Sequence, residues 1–354
     1  MFEGELTIAI CGVSIKINTN YPDYYRYLQA YFKDIILASG VSQPQIEIQA
    51  NWVMDFWGRH PLRINIDNQM HTIGANTAVG PNRVLTLRKF LRKKKIIFDI
   101  KLEGQRLTLK AVSHKKVLKD KLYYDVLGKS QESYFFEVTY PLVYYPLFWY
   151  LEYFKETYIL HASALTLDNR GIVICGMEGI GKTSMVLSLI SKTDTWISDN
   201  LIFYNTQGIS SCYELIRLCN DNQGFLWKDK VKRIDNFKGA KSFCQPILKL
   251  KDEIIKPSIF IFPQFSASFF TRKIPSTQAA NKALILSYLP AELGNYNEFC
   301  SLYNFLDLDF NVWDARNRTL ALLLEKVDCY EVGMPKADGL KKNVERMKDF
   351  LGNA

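Results

Sequence analysis

One segment constrains this chain more than any other: residues 176–183, which read Gly-Met-Glu-Gly-Ile-Gly-Lys-Thr. They fit the pattern Gly-x-x-x-x-Gly-Lys-Ser/Thr at every constrained position. Residues 171–175 before the segment are apolar and rich in β-branched side chains, which is typical of a buried strand. Residues 184–190 after it are patterned as an amphipathic helix. The sequence therefore predicts a strand, a glycine-rich loop and a helix, in that order.

Such a loop is suited to binding phosphate groups. Its glycines allow the backbone N–H groups to turn inward, and the helix N-terminus adds unpaired N–H groups and positive dipole charge. We expect a nucleoside triphosphate, ATP or GTP, to bind here with Mg²⁺; Lys182 would contact the β- and γ-phosphates, and the Thr183 hydroxyl would ligate the metal. The other residues predicted to contact the nucleotide are Gly176, Glu178, Gly179, Ile180, Gly181 and Ser184.

Composition limits the remaining possibilities. A chain of 354 residues suggests two domains. Its 7 cysteines are odd in number and never form a Cys-x-x-Cys pair, which favours reduced thiols and a cytoplasmic location over a disulfide or zinc framework. The longest aromatic and apolar run, residues 140–154, contains two prolines and a glutamate and is too short to span a bilayer. We expect no membrane association.

The net charge of +9 comes with clustered basic residues, at 88–95, 115–121 and 228–251. Runs of this kind are usually solvated faces; otherwise they attract an acidic peptide, a nucleic acid or further phosphate groups. No signature of a DNA- or RNA-binding module accompanies them, so a nucleic-acid partner is not expected.

The chain divides by pattern into two predicted domains. Residues 1–155 indicate an N-terminal α+β domain for acceptor recognition or assembly, and residues 156–354 an α/β domain that holds the loop. The elements predicted in the first are strands at 5–18, 45–53, 60–66, 95–102 and 105–112 and helices at 22–38 and 141–155. Those predicted in the second, besides the elements around the loop, are strands at 158–167, 195–198, 201–204, 258–262 and 327–332 and helices at 276–288, 316–325 and 338–351.

Three segments together resemble a known family. They are Leu-His-Ala-Ser-Ala at residues 160–164, the loop at 176–183, and Ile-Ser-Asp-Asn at 197–200. Their order resembles the catalytic domain of HPr kinase/phosphorylase, whose P-loop fold is shared with phosphoenolpyruvate carboxykinase. The resemblance covers residues 157–351 and is strongest over 157–205. Weaker similarity at 213–218 and 327–332 is to HPr-kinase-like proteins near peptide-modification genes.

The resemblance implies a Mg²⁺·ATP-dependent kinase that phosphorylates a hydroxyl, a serine of a peptide or protein, with a ribosomally made peptide precursor as a plausible acceptor. Members of that family often form oligomers, which leaves homo-oligomerisation open for this chain. A kinase of a small-molecule hydroxyl remains an alternative. A non-catalytic nucleotide-binding regulatory protein is another, because the family carries a second aspartate where this chain has Asn200.

Candidate site residues follow from the same resemblance. Asp199 takes the place of the family's general base, and Asn200 the place of an aspartate linked to metal binding. Glu214 could compensate as a metal ligand, Arg217 could clamp a phosphate, and His161 would lie near the phosphates or the base. Each residue also has a simpler interpretation: a turn after a strand for Asp199 and Asn200, a surface ion pair for Glu214 and Arg217, and a buried polar group at a strand end for His161.

Overall fold

The computed structural model describes residues 3–37, 43–55, 62–90, 94–116, 131–191, 194–219, 227, 229–233, 241–246 and 253–353. The chain is a mixed α/β protein with several sheets. It divides into two compact units, and it passes from the first to the second between Lys155 and Glu156. Asn295–Asn311 returns to the first unit, whereas Val312–Ala354 belongs to the second.

The first unit is built on an eight-stranded sheet with the order β1-β2-β3-β8-β7-β6-β5-β4. The strands are β1 (Gly4–Ile10), β2 (Val13–Thr19), β3 (Ile46–Asp55), β4 (His71–Gly74), β5 (Thr77–Gly80), β6 (Arg83–Phe90), β7 (Lys94–Glu103) and β8 (Arg106–Lys116). β3 runs parallel to β2 and β8, and the other neighbours are antiparallel. Alternate side chains of β2 are buried, as expected for a strand with one face on the core.

Helices complete this unit: α1 (Pro22–Tyr31), α2 (Gln131–Thr139), a π-helical turn (Tyr140–Tyr144) and α3 (Tyr145–Lys155). Their aromatic side chains form much of its core. The ring of Tyr24 lies 4.8 Å from that of Trp52 and 5.4 Å from that of Phe135, measured between centroids. The high aromatic content of the chain is therefore used here for packing, since large rings bury much apolar surface per residue.

Several predicted elements of this unit were wrong in detail. The strand predicted at 5–18 is a hairpin, because Cys11 and Gly12 both have positive φ and turn the chain. No strand forms over 62–66, and residues 60 and 61 lie outside the described part. The helix predicted at 22–38 ends at Tyr31. The helix predicted at 141–155 begins with a π-helical turn, Tyr140–Tyr144, before it becomes regular.

The second unit is centred on a six-stranded sheet with the order β12-β10-β11-β18-β20-β19. The strands of this unit are β9 (Tyr158–Leu160), β10 (Ser163–Leu167), β11 (Arg170–Ile174), β12 (Thr195–Ser198), β13 (Ile202–Asn205), β14 (Gly208–Ser211), β15 (Ile216–Cys219), β16 (Val231–Arg233), β17 (Lys241–Pro246), β18 (Pro257–Ser266), β19 (Phe270–Lys273) and β20 (Asp328–Pro335). β11, β18 and β20 are parallel neighbours. Two three-stranded antiparallel sheets, β14-β13-β9 and β15-β17-β16, accompany the large one.

Both faces of the six-stranded sheet are buried. Val173 and Phe260 point into one core, and Ile172, Ile174 and Ile261 point into the other. Period-two alternation sends neighbouring side chains to opposite faces, and a sheet covered on both faces needs apolar residues at every position. The helices from Glu156 onward are α4 (Lys182–Leu189), α5 (Ser276–Tyr288), α6 (Ala291–Tyr303), α7 (Val312–Leu324) and α8 (Gly339–Asn353). α5 and α7 contribute to the first core, and α4 and α8 to the second.

The single strand predicted at 158–167 is interrupted at His161 and Ala162, so that β9 and β10 belong to different sheets. α6, β14–β17 and β19 were not predicted. Among the described residues, no helix combines the length and the apolar character that a membrane crossing requires.

The predicted basic clusters are only partly visible. Arg88 lies at the end of β6 and pairs with Glu298 at 2.8 Å. Residues 91–93, 117–121 and most of 228–251 lie outside the described part of the chain. Lys230 is described, and it is hydrogen-bonded to backbone carbonyls of the second unit.

Candidate functional site

The glycine-rich loop lies between β11 and α4, as its flanks predict. Gly179 and Gly181 have φ values of +81° and +91°, in the left-handed region that favours glycine. Ile180 is buried in the core beneath the loop, and it anchors the loop while Glu178 stays exposed. The loop therefore presents backbone at the N-terminus of α4, where N–H groups have no intrahelical partner.

Lys182 is the first residue of α4, and its side chain folds back on the loop. Its Nζ donates to the carbonyl oxygens of Gly176 at 2.9 Å and Met177 at 3.2 Å. Burial lowers the pKa of this ammonium, while Cys175, Asp199 and the nearby glutamates act in the opposite direction. An ammonium held by two neutral carbonyls is poorly compensated, so an anion beside the loop would be a better partner.

Asp199 contacts the loop directly. The Thr183 hydroxyl lies 2.9 and 3.0 Å from its two carboxylate oxygens, and the Ser163 hydroxyl donates to Oδ1 at 2.7 Å. Strand direction explains this meeting. Ser163 pairs with Ile174 in register, so the start of β10 lies at the same sheet edge as the ends of β11 and β12. The start of β10, the loop after β11 and the end of β12 therefore bring Ser163, Thr183 and Asp199 together at one edge of the sheet.

Asn200 continues from Asp199 in a left-handed conformation, with φ of +71°, which asparagine tolerates better than most residues. Its amide Nδ2 donates to Oε2 of Glu214 at 3.0 Å, and its side chain also hydrogen-bonds His161. The Glu214 side chain is only 1% exposed. Glu214 and Arg217 do form an ion pair, but its predicted placement at the surface is wrong, because Glu214 belongs to a buried polar group.

His161 lies in the break between β9 and β10, and its backbone N–H donates to the Ser287 hydroxyl at 3.0 Å. The imidazole is buried, and Nδ1 has no hydrogen-bond partner among the described residues. Burial and the positive charge of Lys182 lower the pKa of His161 to about 3, so the ring is neutral at physiological pH. Because the other nitrogen of the neutral ring donates to Asn200, Nδ1 is left to accept one hydrogen bond from a bound molecule.

Arg217, on β15, lies between two glutamates. Its guanidinium is 2.9 Å from Glu292 Oε1 and 3.9 Å from Glu214 Oε1. Burial acts to raise the pKa of Glu292, but the charge and hydrogen bond of Arg217 outweigh it and hold the pKa below its usual value. The pair is therefore ionised at neutral pH, and Arg217 lines the cleft beside the loop.

These residues surround one cleft of about 290 Å³. Its lining is His161, Glu178, Gly179, Gly181, Lys182, Thr183, Ser184, Asp199, Asn200, Arg217, Leu218, Trp227, Pro290 and Glu292. Of the predicted site residues, three do not line it: Gly176 accepts from Lys182, Ile180 faces the core, and Glu214 lies behind Asn200. No group of three or more His, Cys, Asp or Glu side chains in the described ranges is arranged to hold a metal by itself.

Sequence reasoning missed five residues of this region: Ser163, Leu218, Trp227, Pro290 and Glu292. Ser163 stands within the Leu-His-Ala-Ser-Ala segment, and the hydrogen bond that it makes could have been suspected from that position. Glu292 carries no local signal, since it reaches the cleft only through the packing of the start of α6.

No protein-family model matches this chain, and no curated protein matches its sequence.

Proposed function

We propose that this protein is a Mg²⁺·ATP-dependent kinase that transfers the γ-phosphate to a hydroxyl acceptor, a serine of a peptide or protein. The observation that carries the proposal is the contact of the Thr183 hydroxyl with both carboxylate oxygens of Asp199, at 2.9 and 3.0 Å. It joins the phosphate loop to an acid within one cleft. A phosphoryl-transfer site needs that combination, because the nucleotide must be held beside a group that can take a proton.

The donor atoms fit a nucleotide-bound magnesium ion. Mg²⁺ is usually held by one or two carboxylates and substrate phosphates rather than by a complete protein cage. The Thr183 hydroxyl offers a hard oxygen donor of this kind at the N-terminus of α4, and the phosphates of the nucleotide would supply others. When bound, the ion would neutralise charge on the β- and γ-phosphates. Asn200 and Glu214 are weaker candidates for ligands, since they are hydrogen-bonded to each other.

The cleft residues have separate roles in this proposal. Lys182 leaves its two carbonyl partners and binds the phosphates, and Arg217 provides a second cation. The acceptor oxygen forms a bond to the γ-phosphorus, the bond from that phosphorus to the bridging oxygen breaks, and ADP leaves with its electrons. The hydroxyl proton passes to Asp199, whose carboxylate is oriented by Ser163 and Thr183.

Asp199→Asn tests this assignment. Nucleotide affinity should stay within a few-fold of wild type, and the rate should fall by roughly 10²–10⁴, the range for a lost general base. The readouts are calorimetric titration of Mg²⁺·ATP and transfer of labelled γ-phosphate to a library of synthetic serine peptides. Ser163→Ala, which keeps the carboxylate but removes one of its hydrogen bonds, should lose far less rate.

Three outcomes separate the alternatives. A fully active Asp199→Asn variant would show that another group takes the proton. Wild-type protein that binds Mg²⁺·ATP but labels only small polyols would favour a small-molecule kinase. Tight binding with no transfer to any acceptor would favour a regulatory nucleotide-binding protein.

A further inference from the structure

One wall of the cleft has no role in phosphoryl transfer. It consists of Leu218 and Trp227, which are 6% and 4% exposed. Apart from Pro290, the rest of the lining is glycine or polar and charged side chains. An apolar aromatic wall beside a phosphate-binding loop calls for a ligand that is anionic at one end and flat and apolar at the other.

The wall is attached to the helix that carries the loop. The carbonyl of Trp227 accepts hydrogen bonds from the backbone N–H groups of Lys230 and Val231, at 2.9 and 3.0 Å. Lys230 Nζ in turn donates to the carbonyls of Leu187 at 2.6 Å and Ile190 at 2.8 Å. These are carbonyls at the C-terminal end of α4, which lack intrahelical partners. The turn at Trp227 is therefore fixed to the same helix whose first residues would bind the phosphates.

The loop and the wall also line the same cleft. Trp227 belongs to the core cluster that contains Met185 and Leu187 of α4, and it shares the cleft with Ser184 of the first turn of this helix. A ligand with its phosphates at Lys182 and Thr183 therefore lies in the cleft that the indole lines.

We propose that Leu218 and Trp227 form the base-binding wall of this site, with the purine ring of the nucleotide stacked against the indole. The inference rests on the proposed nucleotide-dependent function and adds the residues that bind the nucleoside end. Of the parts of a nucleoside triphosphate, only the base is flat and apolar enough to match this wall. Stacking of a base on an aromatic side chain changes affinity by about 5- to 150-fold.

The test compares a ligand that has a base with one that lacks it. Mg²⁺·ATP and Mg²⁺·tripolyphosphate are titrated into wild type, Trp227→Leu and Trp227→Phe. Trp227→Leu should weaken ATP binding by about 5- to 150-fold and tripolyphosphate binding by less than about 2-fold. Trp227→Phe keeps a flat ring and should lose less ATP affinity.

Trp196→Leu is the matched control, because Trp196 is buried in the same core cluster but does not line the cleft. It should leave the ratio of the two affinities unchanged, and thermal unfolding reports whether each variant is folded. If Trp227→Leu weakens both ligands equally, or neither, the wall does not bind the base. Wild-type protein that binds neither ligand would instead contradict the proposed nucleotide-dependent function.

A spectroscopic measurement covers the case in which Trp227→Leu does not fold. Mg²⁺·ATP should quench tryptophan fluorescence of the wild type, and Mg²⁺·tripolyphosphate should not. In Trp227→Phe the quenching should disappear while ATP still binds by calorimetry. Quenching that persists at full amplitude in this variant would place the base elsewhere.

Discussion

At the scale of single residues, replacement of the buried ammonium of Lys182 should change nucleotide affinity and protein stability in different directions. Its folded-state partners are two neutral carbonyls, and burial lowers its pKa. Lys182→Met should weaken Mg²⁺·ATP binding by about 10- to 100-fold, because charge-assisted hydrogen bonds to phosphate are lost. The melting temperature should stay the same or rise, since no buried charge remains to be compensated.

Calorimetry and thermal unfolding of the same samples measure both effects. Glu325→Gln is the control for a lost charge outside the cleft, because Glu325 is exposed and does not line it; it should change the affinity by no more than about 2-fold. Equal affinities of wild type and Lys182→Met would contradict the predicted role of the loop.

His161 predicts a pH dependence of stability. Its folded-state pKa of about 3 lies below the ordinary histidine value of 6.5 because of burial and the charge of Lys182, with Arg217 acting in the same direction and Glu292 and Asn200 against it. At a pH between these two pKa values, the unfolded chain binds the proton of His161 more readily than the folded protein does. Stability from this group is therefore present above about pH 6.5 and is lost progressively as the pH falls towards 3.

Melting temperatures from pH 7 to pH 4 test this prediction. Wild type should lose several degrees more than His161→Gln over that range, because the glutamine cannot take up the proton. His71→Gln is the comparison, since His71 is exposed on β4. If the melting temperature of His161→Gln falls with pH as steeply as that of wild type, the imidazole is not buried in its neutral form.

At the scale of elements, the pairing of Arg217 on β15 with Glu292 in the first turn of α6 predicts opposite effects of two substitutions. Glu292→Gln removes the anion that competes for Arg217, so Mg²⁺·ATP affinity at low salt should rise by about 3-fold. Arg217→Gln removes a phosphate partner and should lower the affinity by about 10-fold.

The salt dependence of both affinities gives a second readout. The gain in Glu292→Gln should shrink as the ionic strength rises, because the Arg217 side chain is partly exposed. If both substitutions weaken binding, Glu292 itself contributes to the site, and phosphate and Glu292 do not compete for Arg217.

At the scale of the whole molecule, Asn295–Asn311 limits where the chain can be truncated, because this segment belongs to the first unit although it follows most of the second in sequence. Within the first unit, the Tyr296 hydroxyl donates to the buried Glu152 at 2.5 Å, Phe299 packs edge-on against Phe98, and Tyr303 stacks on Trp149. A fragment of residues 156–354 loses all of these partners. We expect it to self-associate, since three large aromatic side chains become exposed together.

Size-exclusion chromatography with light scattering measures this association. The fragment should elute as a mixture of oligomers, and replacing Tyr296, Phe299 and Tyr303 by serine should shift it towards the monomer. A monomeric fragment with the original aromatic residues would show that the segment does not depend on the first unit. The roles of acceptor recognition or assembly that we predict for residues 1–155 are a separate question, and they stay predictions.

Much of the secondary structure could be predicted from local pattern. The bounds predicted for a helix at 276–288 and a strand at 195–198 match α5 and β12. Whether residues 158–167 form one strand or two depends on which sheet each half joins, and the apolar pattern is the same in both cases. α6 was not predicted, whereas α4, whose apolar positions are no more periodic, was predicted from the glycine-rich loop before it.

Local pattern was enough to predict the loop and its flanking strand and helix, because these depend on backbone conformation and short-range order, and the family resemblance indicated Asp199 as the acid that follows them. Which side chains share the cleft depends on tertiary packing. Ser163 reaches Asp199 because β10 starts at the sheet edge where β12 ends, and Glu292 and Trp227 reach it through packing of α6 and α4. Contacts of this kind join residues tens of positions apart, and no local pattern of polar and apolar residues encodes them.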